Sequence, residues 1–256
     1  MEKEKTQKEI DQEYVYENGF KPKEVILKDN YKLYKKGFFF WFFQRVAIYL
    51  TKFFLFFPKR LLWGYKVIGK KNKKYIKSSI LVCNHTFPLD AFSLLTAIPT
   101  KKIYTLTLES NLGFGIVSKY FRLGGAVPIP TKMKLYKRFI SETPDILRNG
   151  KNVLVFPEAM LMPYCDHIRE FKSGAFHFAS EGTDTIIILL HTFHKPRGFY
   201  KLVRRKKPCI HLNILEPYHI ERLATKKETI AKMQQDVHKI MTDYFNNHSD
   251  YFKKEK

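Results

Sequence analysis

The chain has 256 residues, enough for one large domain with a buried core, and 45% of them are apolar. Lys and Arg number 46 against 24 Asp and Glu, and the net charge of +22 favours polyanionic partners: nucleic acid, an anionic bilayer or phosphorylated substrates. The three cysteines, Cys83, Cys165 and Cys209, exclude a disulfide framework, and no Cys/His spacing suggests zinc.

Residues 1–36 are polar and mixed in charge and read as a tail or loose cover. The opening "MEKEKTQKEIDQEY" has no apolar core, so no secretory signal is expected. Residues 37–69, "GFFFWFFQRVAIYLTKFFLFFPKRLLWGYKVIG", form the most unusual segment. Its apolar part is long enough to cross a bilayer. Arg45 and Lys52 interrupt it and share one helical face. Each central charge costs a spanning helix roughly 2.5–3.5 kcal/mol, about what the apolar side chains return. A helix lying in the interface avoids that cost, so a membrane anchor lying on the surface is expected ahead of a span. Pro58 is expected to stop or kink the helix. "KKNKKYIK" then reads as a charged connector into a domain over 70–256.

From residue 78 onward, short apolar runs alternate with helical stretches. "SILVC", "KIYTLTL", "NVLVF" and "TIIILL" predict buried strands. Residues 90–97, 132–148 and 174–181 predict helices, with Asn149 and Gly150 ending the second. "YKLVRRKKPCIHLNIL" suggests a basic hairpin, and residues 226–246 a closing amphipathic helix. The fold class is therefore α/β, a mixed β-sheet flanked by helices, preceded by an N-terminal hydrophobic membrane-anchoring helical segment.

Chemistry centres on "LVCNHTFPLDAF". A strand ends at Cys83, a tight turn follows, and Pro88 suits the first turn of a helix. With His85 in the turn and Asp90 in the first helical turn, the two side chains can meet. Asp90 would orient the imidazole, leaving the other ring nitrogen to accept a proton from a hydroxyl. No serine or cysteine nucleophile accompanies the pair, and Cys83 reads as a small buried apolar residue. Taken alone, His-x-x-x-x-Asp reads more readily as a capping or core histidine than as a catalytic pair. His191 and His194 read as surface or strand-end residues, and Cys165 with His167 as no metal set.

Two further segments join the first. "GFGIVSKYFRLGGAVPIPTK" ends at Thr131 and Lys132, and "NVLVFPEAMLMPYCDHIREFKSGAF" sets Phe156, Pro157 and Glu158 after a strand. In this order the segments resemble the glycerolipid acyltransferase family, the PlsC-like group, over about residues 78–190. The resemblance implies His85 as catalytic base and Asp90 as its partner. It implies that Glu158 and Lys172, with Gly174 in "FKSGAF", bind acceptor or donor. The family's arginine after "GGAVPIP" is Thr131 here, and its glycine-threonine-arginine after the glutamate is Ala159-Met160-Leu161. Those arginines hold the acceptor's phosphate. Lys132, Lys134 or Arg169 would take their place, or Met160 and Met162 would line an apolar path to an acceptor without phosphate.

The implied activity is O-acyl transfer from acyl-coenzyme A or acyl carrier protein to a lysophospholipid or related glycerolipid. It uses no metal or cofactor and takes place on the cytosolic face of a membrane. Two other classes compete. One is a lipid- or acyl-binding relative without turnover, favoured by the altered residues after Glu158. The other is a basic nucleic-acid binder, which leaves the Phe-rich segment unexplained and lacks any recognisable nucleic-acid motif, so no specific nucleic acid is expected. Nothing in the sequence sets an oligomeric state.

Overall fold

The computed structural model describes residues 23–87, 89–98, 102–204 and 206–253. Pro88, expected in the first turn of a helix, lies outside them, as do residues 1–22.

In chain order the elements are α1 (Phe38–Trp63), β1 (Lys66–Ile68), β2 (Ile80–Cys83), α2 (Asp90–Ala97) and β3 (Ile103–Leu108). Next come α3 (Ile116–Leu123), β4 (Ala126–Ile129), α4 (Met133–Arg148), β5 (Asn152–Val155) and α5 (Gly174–Gly182). The chain closes with β6 (Thr185–His194), α6 (Phe199–Arg204), β7 (Cys209–Ile214), β8 (Tyr218–His219) and α7 (Lys226–His248).

Among the described residues the strands form one sheet in the order β1-β7-β6-β2-β5-β3-β4, with β8 beside β6. From β6 to β4 every pairing is parallel, and β7 runs antiparallel to β6. The central strands are apolar without alternation because both faces are covered: every residue of β2 and β5 is buried. A mixed α/β sheet flanked by helices is thus the fold that the alternating pattern predicts.

The parallel strands β2, β5, β3 and β4 deliver their C-terminal loops to one edge of the sheet. His85 follows β2, Glu158 follows β5, Glu109 follows β3, and Thr131 with Lys132 follows β4. Loops at this edge are where α/β sheets collect ligand-binding residues.

Helix α1 departs from expectation at Pro58, which lies inside the helix. Proline removes one backbone hydrogen bond, but contacts with the domain hold the turn beyond it. Lys59 Nζ donates to Thr96 Oγ1 at 2.7 Å, Tyr200 Oη to the Arg60 carbonyl at 2.8 Å, and Arg204 Nη1 to the Leu62 carbonyl at 3.1 Å. The helix ends at Gly64, whose φ of 57° is left-handed and whose Cβ position would collide with Cys209 Sγ.

One face of α1 packs lengthwise on the domain, mainly on α2 and α3. Gln44 is buried there. Its Nε2 donates to the carbonyls of Ile103 (2.6 Å) and Gly124 (3.1 Å). Gly125, with φ of 97°, makes room, since a Cβ would strike both Gln44 and the Ile103 carbonyl. The opposite face exposes Phe38, Phe39, Phe42, Phe43, Phe53, Phe54 and Phe57. Helix α1 is long and apolar enough to cross a membrane, and 17% of its most apolar window is buried.

Two further expectations change. The first arm of the supposed hairpin is helix α6, because Tyr200 and Arg204, one turn apart, tie it to the end of α1. The antiparallel partner of β7 is instead β6, which runs to His194 rather than stopping at Leu190. Residues 27–35 are not a loose cover. Leu27, Leu33 and Tyr34 are buried, and Arg122 donates to the carbonyls of Lys32 and Leu33 at 2.8 and 2.9 Å.

Candidate active site

Strand β2 ends at Cys83, and Asn84 turns its side chain across to β6. Its Oδ1 accepts from the His191 backbone N–H at 2.8 Å, and its Nδ2 donates to the His191 carbonyl at 3.1 Å. The amide thereby continues the β2–β6 ladder one step past its last backbone pair. The chain is then free to bend, and Asp90 opens α2, where a carboxylate suits the positive end of the helix.

Asp90 is fully buried. Its Oδ2 accepts from the backbone N–H groups of Thr86 (2.7 Å) and Phe87 (2.9 Å) and lies 3.1 Å from His85 Nδ1. A carboxylate holding two N–H donors offers only lone pairs to a third group. Nδ1 of His85 must therefore carry the proton, which leaves Nε2 as the basic nitrogen. The His85 side chain is 24% exposed whereas that of Asp90 is 0% exposed, so the ring can reach a substrate that its partner cannot. Phe156 stacks on the His85 ring with centroids 4.2 Å apart.

The loop after β5 runs alongside this turn. Met162 N–H donates to the His85 carbonyl and Tyr164 N–H to that of Thr86, both at 3.0 Å. Glu158, expected from the family pattern to bind substrate, turns inward. It accepts from the His85 backbone N–H (3.2 Å), the Arg169 backbone N–H (3.3 Å) and Arg169 Nη2 (3.0 Å). Burial pushes the Glu158 carboxyl up from its ordinary range, and Arg169 acts against that. Arg169 also donates to the Met160 carbonyl. Ala159, where the family carries glycine, sits at φ of 66°, a conformation that costs a side chain about 1 kcal/mol or more.

The other predicted residues are scattered along the same edge. Lys172 is exposed, and its backbone N–H donates to the Pro157 carbonyl at 2.8 Å. Gly174 opens α5 and faces open space. Lys132 and Lys134 both reach Asp29, at 3.6 and 3.7 Å. Thr131 is held by Glu109, whose Oε2 accepts from its N–H at 2.6 Å and its hydroxyl at 2.8 Å. The structure thus joins His85, Asp90, Glu158 and Arg169 into one cluster and leaves Lys132, Lys172 and Gly174 outside its hydrogen bonds.

Sequence reading missed part of this cluster. His191 is not a strand-end residue. It is fully buried inside β6, and its Nδ1 lies 3.2 Å from Asp90 Oδ1. Tyr65 Oη stands 3.3 Å from the other ring nitrogen. The signal available was a lone histidine ending the run "TIIILLH", next in the fold to the strand before His85. Cys165 and His167, expected to form no metal set, do bring ligand atoms within 4.8 Å of one another together with Asp166. These are three consecutive residues, and burial raises the Cys165 thiol, which opposes the thiolate a metal needs. Burial likewise raises the Cys83 thiol, as expected of an inert core residue.

An α/β sheet carrying a histidine–aspartate pair at its C-terminal edge defines a class, and residues 64–190 match the acyltransferase family. That span includes the His85–Asp90, Glu158 and Phe171–Phe176 segments that carry the resemblance. The fold is similar to the crystal structure of the 1-acyl-sn-glycerophosphate (LPA) acyltransferase PlsC from Thermotoga maritima. That match has a TM-score of 0.58 and 18% sequence identity, covering 80% of this chain and 81% of the other. No curated protein matches the sequence.

Proposed function

We propose that the protein is a membrane-associated O-acyltransferase acting at the cytosolic face of a bilayer. It moves a fatty acyl group from acyl-coenzyme A or acyl carrier protein to the hydroxyl of a lysophospholipid or related glycerolipid. The carrying observation is the His85–Asp90 pair, a partly exposed imidazole held at 3.1 Å by a buried carboxylate.

His85 Nε2 takes the proton of the acceptor hydroxyl as its oxygen attacks the thioester carbonyl carbon. The C–S bond of the resulting tetrahedral intermediate breaks, and the imidazolium returns its proton to the departing thiolate. Asp90 opposes the positive charge on His85 between those two transfers. The thioester is already activated, so the route calls on no metal or prosthetic group. Helix α1, docked lengthwise with its Phe face outward, would rest in the membrane interface and bring this edge to lipid substrate. The net charge of +22 would draw in a polyanionic donor.

Arg169 is committed to Glu158, and Lys132 and Lys134 share Asp29. The acceptor class is therefore a matter for assay. Labelled acyl-coenzyme A and acyl carrier protein are offered with lyso-acceptors bearing and lacking a phosphomonoester, and His85→Ala runs alongside. Transfer to at least one acceptor is expected, lost about 10²–10⁴-fold in His85→Ala. Folded, vesicle-bound protein that binds acyl donors but transfers nothing would replace this reading with lipid or acyl binding alone.

A further inference from the structure

The carboxylate of Asp90 is unevenly served. Oδ2 has three nitrogen neighbours, His85 Nδ1 and two backbone N–H groups. Oδ1 is buried and makes no well-aligned hydrogen bond among the described residues, yet His191 Nδ1 lies 3.2 Å away. A buried carboxylate oxygen left unserved is destabilising. Nδ1 of His191 is the nitrogen placed to serve it, by a small turn of the ring.

Two neighbours bear on which proton His191 offers: Cys83 Sγ lies 3.8 Å from Nδ1, but its thiol donates to Asn84 Oδ1 at 3.6 Å and so leaves Nδ1 no proton to accept. Tyr65 Oη sits at Nε2, 3.3 Å away, and both side chains are buried. Burial lowers the His191 pKa, with the Asp90 charge opposing, which favours the neutral ring. A neutral ring whose Nε2 accepts from the Tyr65 hydroxyl carries its proton on Nδ1, facing Asp90. The chain then reads Tyr65 O–H to His191 Nε2, His191 Nδ1–H to Asp90 Oδ1, and Asp90 Oδ2 to His85 Nδ1–H. The His191 backbone is held independently by the side chain of Asn84. Its imidazole can therefore be replaced without releasing β6 from β2.

We infer that His191 is a positioning residue for acyl transfer: with Tyr65 behind it, its ring holds the far oxygen of Asp90 so that the near one keeps His85 in its working tautomer and orientation. This inference rests on the proposed role of His85. Neither His191 nor Tyr65 touches substrate in this scheme.

The test compares His191→Phe, His191→Asn and His191→Gln in the full-length protein on vesicles. The readouts are kcat and KM for the best acceptor and the ¹⁵N signals of the His85 ring, assigned with His85→Ala. An asparagine amide lies near the former Nδ1 and can still donate to Asp90, whereas a glutamine amide reaches toward Tyr65. His191→Phe should lower kcat about tenfold to hundredfold with KM little changed. It should also turn a single Nδ1–H tautomer of His85 into a mixture. His191→Asn should recover most of the loss and His191→Gln should not. A folded His191→Phe with wild-type kcat and unchanged His85 signals overturns the inference. If His191→Phe does not fold, equal turnover by the Asn and Gln variants overturns it instead. Absence of any His85-dependent transfer by the wild type defeats the proposed function, and the ring signals then still decide whether His191 governs His85.

Discussion

Glu158 follows β5 at the mouth of the site, yet its carboxylate points inward, to the His85 backbone and to Arg169. The side chains of Arg169 and Glu158 are 11% and 1% exposed. Removing one partner of such a pair leaves the other charge buried, at a cost of about 3–5 kcal/mol. Arg169→Met should therefore lower the unfolding free energy by about that amount. Arg169→Met with Glu158→Gln should regain most of it, as read by chemical denaturation. If Arg169 instead held the acceptor, Arg169→Met would leave stability intact and raise KM for phosphate-bearing acceptors. The motif located Glu158 but not its partner, because Arg169 lies beyond a loop whose path depends on left-handed residues at Ala159 and Tyr164. His85 and Asp90 were legible because a short turn and a helix start leave a five-residue spacing few alternatives. His191 was not, since parallel strands far apart in sequence meet only in the folded sheet.

At the level of elements, the apolar runs revealed the central strands because every residue of β2 and β5 is buried, and all but Asn152 are apolar. The ends of α1 and β6 were less legible, because tertiary contacts decide them. Partners in the domain carry α1 past Pro58, and β7 extends β6 to His194. That extension has a consequence for pH. His194 and His211 are diagonal neighbours across β6 and β7, with rings stacked at 3.8 Å. Burial lowers the pKa of His211 to about 4, with His194 and Lys66 adding to the effect, and burial also lowers His194. A histidine in the unfolded chain titrates near 6.5. Between about 6.5 and about 4 the unfolded chain binds more protons, so stability is full above that window and falls as pH drops through it. The melting temperature should fall from pH 7 to pH 5, and His211→Gln should flatten the decline. A wild-type melting temperature that holds steady or rises on acidification would contradict this.

For the whole molecule, the question is what the outward face of α1 meets. Its exposed Phe residues form a continuous apolar strip on a chain of net charge +22. Full burial of one large apolar side chain is worth about 1.5–3 kcal/mol, and each basic residue near an anionic surface about 1 kcal/mol. Sedimentation with anionic vesicles should therefore weaken at least about tenfold in Phe53→Ser/Phe54→Ser, and binding should fall further at high salt. The paired substitution should leave the melting temperature unchanged in the absence of lipid, because neither ring is buried in the domain. A large loss of stability with unchanged vesicle binding would place those residues in a protein contact instead.

The measurement that bears most directly on the account is restoration of transfer by an external base. His85→Gly removes the imidazole at the edge of β2 and leaves Asp90 and its backbone donors in place. The account predicts a folded, vesicle-bound variant whose acyl transfer falls about 10²–10⁴-fold and partly returns when free imidazole is added, while His85→Gly/Asp90→Ala gains less. Transfer by His85→Gly at the wild-type rate would contradict it.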